Sequence, residues 1–182
     1  YKIPLIRYNE ATPKQIHNVF ELYNRQGKKL NAEEIRNAVY HHLDLSKALL
    51  VVSGDNSDVG TVAPFLESEW ETLQLVGGNL SDYEFGTARF KRSKVLAWVA
   101  AHLVAEPDAH LSTARLINFM LEDTANSPES SLRNKTAVTD LMMLLSSAID
   151  IHSAHAEAWH GKFRHSKGAD KWQELQLVAT LV

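Results

Sequence analysis

The sequence contains no cysteine, so disulfide-stabilised folds and thiolate metal sites are excluded for this chain. Its longest apolar runs, such as 95–101 and 141–145, are far shorter than the ~20 residues that a membrane-spanning helix needs. It also lacks a Walker loop, a dinucleotide-binding glycine fingerprint, a His-Glu-x-x-His motif and a Ser-His-Asp signature. Because a chain without cysteine suits a reducing compartment, we expect a cytoplasmic protein without a membrane partner.

Charge of both signs is present but is unevenly distributed along the 182 residues, whose formal net charge is −3. Residues 1–50 hold eight Lys or Arg and five acidic residues, whereas residues 51–87 hold seven acidic residues and no Lys or Arg. Residues 88–104 hold four basic residues and no acid. Two basic segments therefore flank an acidic one, and either basic segment could contact phosphate.

Apolar residues recur mainly with helical spacing, which predicts an all-α fold. We expect an irregular multi-helix bundle of about six to eight helices, with a short extended N-terminal arm at 1–8 and a single helical domain over 1–182. The pair Gly77–Gly78, followed by Asn79, is predicted to form a loop. Helices are predicted at about 12–23, 32–43, 61–76, 90–105, 136–151 and 170–181, and from Ser112 to a break at 126–128, with a further apolar segment at 45–52.

The stretch from residue 20 to residue 40 predicts the end of one helix, a tight polar turn and the start of a second helix. Asn31, with Glu34 three residues later, has the pattern of a capping box at the start of the second helix. Thr12 and Gln15 have the same spacing at the start of the first helix. The turn between the two helices carries a dense polar group that core packing does not explain: Asn24, Arg25, Gln26, Lys28 and Lys29.

A pattern Phe-x-x-x-Asn-x-x-Gly-x-x-Leu, followed by Glu-Ile-Arg-Asn-Ala, is carried by Phe20, Asn24, Gly27, Leu30, Glu34, Ile35, Arg36, Asn37 and Ala38. This pattern resembles the middle of the GmrSD N-terminal domain family, and the resemblance covers roughly residues 1–43. Members of that family occur in bacterial modification-dependent restriction and antiphage systems. Their upstream ParB-like domain carries an Asp-Gly-Gln-Gln-Arg motif that is linked to nucleotide binding and hydrolysis.

The Asp-Gly-Gln-Gln-Arg motif does not occur in this sequence. The resemblance therefore implies the helical half of such a protein, present as a fragment, a processed chain or a divergent member. This half would contribute to an NTP site, with Mg²⁺ in the complete protein, that an upstream ParB-like domain or chain completes. We do not expect the chain alone to be an active enzyme. The residues assigned to the nucleotide site are Asn24, Arg25, Gly27, Lys28 and Arg36.

Each of these residues also has a structural interpretation. Asn24 could simply end its helix in left-handed geometry, and the turn cations could be solvated. Arg36 lies in the first turns of a helix, where the macrodipole disfavours a cation. Either Glu33 or Glu34 compensates this charge, or Arg36 forms a buried ion pair or contacts phosphate.

A second basic segment, at the start of the helix predicted from residue 90, is a candidate nucleic-acid contact. Its four cations again lie at a helix N-terminus, where they are unfavourable without an anionic partner. The alternative partner is the acidic segment at 67–71. The residues assigned to nucleic-acid binding are Arg89, Lys91, Arg92 and Lys94.

Histidines cluster late in the chain, and His152 and His155 have a spacing that places both on one helix face. No carboxylate completes a recognised metal motif, so no metal site is predicted. Three interpretations of the whole chain stay open. It is the accessory helical half of a nucleotide site, a helical module that binds nucleic acid or protein, or a structural domain without a ligand.

Overall fold

The structure, a computed structural model, describes residues 11–12, 14–16, 18–19, 30–84, 88–104, 112–155 and 174–182. In this part of the chain every regular element is helical, which confirms the predicted all-α bundle, whereas the arm predicted at 1–8 lies outside it. Residues 14–16 and 18–19 are helical. The later helices are α1 (Ala32–Tyr40), α2 (Asp44–Val52), α3 (Val59–Val62), α4 (Trp70–Asp82), α5 (Lys91–Val104), α6 (Thr113–Asn126), α7 (Lys135–Ala154) and α8 (Glu174–Leu181), with 3₁₀ segments at Pro64–Glu69 and Ser131–Arg133.

Both predicted capping boxes are present. The Thr12 backbone N–H donates to Gln15 Oε1 at 2.8 Å, and the Gln15 N–H donates to Thr12 Oγ1 at 3.3 Å. At the start of α1, the Glu34 N–H donates to Asn31 Oδ1 at 2.8 Å, and the Asn31 N–H donates to the Glu34 carboxylate at 2.8 Å. Each box satisfies backbone donors that have no partner within the helix, which contributes about 1 kcal/mol to a helix start.

Helix α7 is the central element of the core and contacts α2, α4, α5 and α8. Its inward face is marked by Met142, Leu145 and Ile149, none of which is more than 1% exposed. Spacings of three and four residues keep these side chains on one face. Burying one such side chain contributes about 1.5–3 kcal/mol, so this face is a main source of stability.

Helix α4 departs from the prediction at both ends. The acidic helix expected at 61–76 begins as the 3₁₀ segment Pro64–Glu69 and continues as α-helix to Asp82. The loop predicted at Gly77–Gly78 is therefore wrong, because both glycines lie inside α4. A Cβ on Gly77 would lie only 3.0 Å from the Cα of Gly54. The glycine is required by close packing of α4 on the turn after α2, and not by a turn of its own.

A bilayer-crossing helix is not found among the described residues, since none of their helices combines the required length with the required apolarity. The described helices that are partly apolar direct their apolar faces toward the shared core instead. Val138, Leu141 and Leu145 in α7 illustrate this, each being 7% exposed or less.

Candidate functional site

Helices α1 and α6 lie side by side and border a cavity of about 470 Å³, the α1–α6 cleft. A cavity of this size falls within the range of about 300–1,000 Å³ that is typical of small-molecule sites. Each helix presents residues four apart, which share one helix face. The lining comprises Ala32, Arg36, Val39 and Tyr40 from α1, Ala114, Asn118 and Glu122 from α6, and Lys14 and Asn18 from the preceding segment.

The two helices run in the same direction along the cleft. Arg36 Nε donates to Asn118 Oδ1 at 2.8 Å, and one turn later Tyr40 lies near Glu122, whose charge helps to raise the pKa of the phenol. Because these contacts advance by four residues on both helices, both N-termini lie at the same end of the cleft. The macrodipoles make this end positive, and the Ser112 side chain makes no capping hydrogen bond at the start of α6.

Arg36 is the most deeply buried cation of the cleft, with 9% of the residue exposed. Its Nε atom donates to Asn118, and its Nη1 atom donates to the Glu33 carboxylate. The predicted compensation by Glu33 is therefore present. Among the described residues, Nη2 has no hydrogen-bond partner, although a guanidinium group presents five N–H donors. The buried cation thus retains donor capacity beside the cavity.

Tyr40 and Glu122 form the other end of the cleft. Burial, followed by the nearby Glu122 charge, raises the pKa of the Tyr40 phenol to about 12, although Arg36 opposes the shift. The phenol therefore stays protonated at neutral pH and can donate to the carboxylate. Glu122 itself is exposed. Since a carboxylate has about four acceptor positions, most of its acceptor capacity remains available at the mouth of the cleft.

Of the residues assigned to the nucleotide site from the sequence, Arg36 lies in the cleft wall. Asn24, Arg25, Gly27 and Lys28 lie outside the described residues, so their assignment stays a prediction.

Five polar residues of the cleft are missing from the sequence-based assignment: Lys14, Asn18, Tyr40, Asn118 and Glu122. The sequence contains a signal for Asn118 and Glu122, because these two residues are four positions apart on one face of a predicted helix. The partner helix could not be inferred, since Arg36 and Asn118 are 82 positions apart. The spacing of residues along one helix does not indicate which other helix packs against it.

The four cations assigned to nucleic-acid binding all have carboxylate partners inside the fold, and these partners lie outside the acidic 67–71 segment. The pairs are Arg89 with Glu34, Lys91 and Lys94 with Glu174, and Arg92 with Asp55. Burial raises the pKa of Glu174, but hydrogen bonds and charge from the two lysines outweigh this effect and leave the pKa below its ordinary value. These pairs connect α5 to α8, to the start of α1 and to the turn after α2.

His152 and His155 do not share an environment. His152 is 2% exposed, with Nδ1 at 2.7 Å from the Tyr83 hydroxyl and Nε2 at 3.1 Å from Thr180 Oγ1, whereas His155 is exposed. The Thr180 hydroxyl also donates to the Leu177 carbonyl at 2.8 Å, so both ring nitrogens of His152 lie within hydrogen-bond distance of a hydroxyl group. Among the described residues, no group of three or more metal-ligating side chains is found.

Comparisons with protein-family models, with curated proteins and with solved structures find no match for this chain. The family resemblance therefore depends on the sequence pattern within roughly residues 1–43. The α1–α6 cleft is consequently interpreted from its own chemistry, with Arg36 as the residue that the cleft and the family pattern share.

Proposed function

We propose that the α1–α6 cleft binds the phosphate groups of a nucleotide, as the helical part of an NTP site in a bacterial restriction or antiphage-type protein. The observation that carries this proposal is Arg36, a cation that is 9% exposed, lies on the cavity wall and has unused donors. A buried guanidinium is costly unless its donors find acceptors. Phosphate oxygens match its planar fork in both charge and geometry.

Other features of the cleft support an anionic ligand. Lys14 adds a second cation to the lining. The N-terminus of α6, which has no side-chain cap, adds positive partial charge, and anions bind favourably at such termini. Asn118 adds an amide whose Oδ1 is used by Arg36 and whose amide hydrogens have no partner among the described residues. Cation, dipole and amide donors therefore converge on one region.

In this proposal the described residues supply binding groups and not a complete hydrolytic site. The family resemblance implies that an upstream ParB-like domain or chain carrying the Asp-Gly-Gln-Gln-Arg motif completes the site. Nucleotide hydrolysis, with Mg²⁺, would then require both parts. The expected result is no phosphate release by the chain alone and phosphate release when a domain with that motif is supplied.

The binding test is calorimetric titration of the chain with ATP, GTP, CTP, UTP and sodium pyrophosphate. Arg36→Gln should weaken binding by about 10- to 100-fold, because hydrogen bonds to charged groups contribute about 1.5–3 kcal/mol. The matched control is Arg115→Gln, which removes an exposed cation of α6 that does not line the cleft. If Arg36→Gln is folded by circular dichroism and binds like the parent chain, the cleft is not the phosphate site.

Nucleic-acid binding through Arg89, Lys91, Arg92 and Lys94 stays a prediction. Their carboxylate pairs argue against it, because contact with DNA phosphates would compete with three carboxylates of the fold. Binding of this kind would weaken steeply as the salt concentration rises.

A further inference from the structure

We propose that Glu122, held in place by Tyr40, determines specificity for the sugar of the bound nucleotide by accepting hydrogen bonds from the ribose hydroxyl groups. This inference rests on the proposed function of the cleft. It assigns the two ends of the cleft to the two polar parts of one ligand, with phosphate beside Arg36 and ribose beside Glu122.

The distance between the two ends of the cleft agrees with this orientation of the nucleotide. Arg36 and Tyr40 are one helical turn apart on α1, and Asn118 and Glu122 are one turn apart on α6. Four residues of α-helix correspond to a rise of about 6 Å. A nucleotide also separates its α-phosphate from its 2′ and 3′ hydroxyls by a few bonds, so both groups fit within one turn of the facing helices.

The negative charge of Glu122 determines which part of the ligand lies beside this residue. A carboxylate accepts hydrogen bonds and repels phosphate oxygens, so phosphate is directed to the other end of the cleft. A free cation is a poorer occupant, because Arg36 and Lys14 line the same cavity and repel it. A neutral vicinal diol provides two O–H donors without positive charge, and acidic residues bind ribose hydroxyls in this way in dinucleotide-binding folds.

Tyr40 acts as a positioning residue. It is 6% exposed and lines the cleft together with Glu122, whose charge helps to raise the pKa of the Tyr40 phenol. An exposed glutamate loses rotamer entropy when it binds a ligand, and a fixed hydrogen bond reduces that cost. In this proposal the protonated Tyr40 phenol donates to one acceptor position of Glu122, and the remaining positions are available to the ligand.

The experiment compares the affinities of ATP and 2′-deoxy-ATP, and of UTP and 2′-deoxy-UTP, for the full chain. We expect the ribonucleotides to bind at least about tenfold more tightly, since the lost hydrogen bond involves a charged acceptor. Glu122→Ala should remove this preference, and Tyr40→Phe should reduce it. Neither change should weaken pyrophosphate binding, which a general loss of structure would weaken.

The matched control is Asp123→Ala, which removes an exposed carboxylate of α6 outside this cleft and should keep the preference for ribonucleotides.

Equal binding of ribonucleotides and deoxyribonucleotides by the parent chain would overturn the assignment of Glu122, while leaving the phosphate site of Arg36 standing. A ribose preference that survives in folded Glu122→Ala would overturn it as well. If neither pyrophosphate nor any nucleotide binds, the proposed function fails and this inference fails with it. The pyrophosphate titration distinguishes the last result from the first two, and the comparison of ribonucleotides with deoxyribonucleotides in the parent chain distinguishes the first two from each other.

Discussion

Arg92 joins the turn after α2 to helix α4 through three different acceptors. Its Nη2 donates to the Gly54 carbonyl at 2.6 Å, its Nε donates to Asp55 at 3.3 Å, and its Nη1 donates to the Gly77 carbonyl at 3.4 Å. Asp55 also accepts from the Ser93 backbone N–H at 2.8 Å. One side chain therefore joins α5, α4 and the turn after α2, which makes its role in packing more specific than that of a surface cation.

Arg92→Ala should lower the free energy of unfolding by about 2–4 kcal/mol, because three acceptors lose their donor and Asp55 loses its ion-pair partner. Urea denaturation monitored by circular dichroism measures this change. The control is Arg115→Ala, which should stay within about 0.5 kcal/mol of the parent chain because Arg115 is exposed. A similar small loss for Arg92→Ala would contradict the role described above.

His152 should make stability depend on pH. Burial lowers its pKa below the ordinary value of 6.5, so the unfolded chain binds more protons than the folded chain at mildly acid pH. The stabilisation is fully present above about pH 6.5 and is lost as pH falls toward the lower folded pKa.

The pH dependence is measured by chemical denaturation at several pH values between about 7 and 5. His152→Gln should flatten the fall in unfolding free energy, and the control His155→Gln, at an exposed position, should keep it. Glu174 loses its own contribution only at lower pH, because its folded pKa is below the ordinary value of 4.5. An unchanged slope in His152→Gln would show that other groups cause the acid sensitivity.

At the scale of the helices, two neighbouring glycines of α4 should respond to alanine in opposite directions. A Cβ on Gly77 would meet Gly54 Cα at 3.0 Å and Gly54 N at 3.1 Å, both rigid backbone atoms, whereas a Cβ on Gly78 meets nothing within 4 Å. Gly77→Ala should destabilise by about 1–3 kcal/mol through overpacking. Gly78→Ala should stabilise by about 0.5–1 kcal/mol through helix propensity.

Thermal unfolding of the two alanine variants tests this pair directly, and each variant is the control of the other. If both variants gain stability, the contact between α4 and the turn after α2 is looser than described. The pair also explains why the predicted loop was wrong. Adjacent glycines are typical of turns, but here one glycine is selected by a neighbouring backbone and the other lies on an open helix surface.

Helix starts were the part of the fold most accessible to prediction. The boxes at Thr12 and Asn31 depend on residues only three positions away, so the local sequence contains the whole interaction. The predicted helices at about 90–105 and 136–151 agree closely with α5 and α7 for the same reason. The ion pairs of α5 were not assignable, because Lys94 and Glu174 are 80 positions apart.

At the scale of the whole molecule, the bundle places two features of Arg36 together that the sequence treats separately. The residue belongs to the family-like pattern of the helix–turn–helix stretch, and it also lines a cavity built with α6. The turn residues Asn24 to Lys28 lie outside the described residues, so their position relative to this cavity stays a prediction. Arg36, Asn118 and Glu122 are the positions at which ligand binding can be tested first.

The amino-acid sequence by itself determined the all-α class and the helix starts, because periodicity and capping act between residues three or four positions apart. It also identified Arg36 as a candidate nucleotide-binding residue. Only the tertiary structure decided that Arg36 faces Asn118, that Arg92 is held by Asp55, and that Gly77 lies inside a helix. These contacts join distant segments, and their partners are selected by how complete helix faces pack into one core.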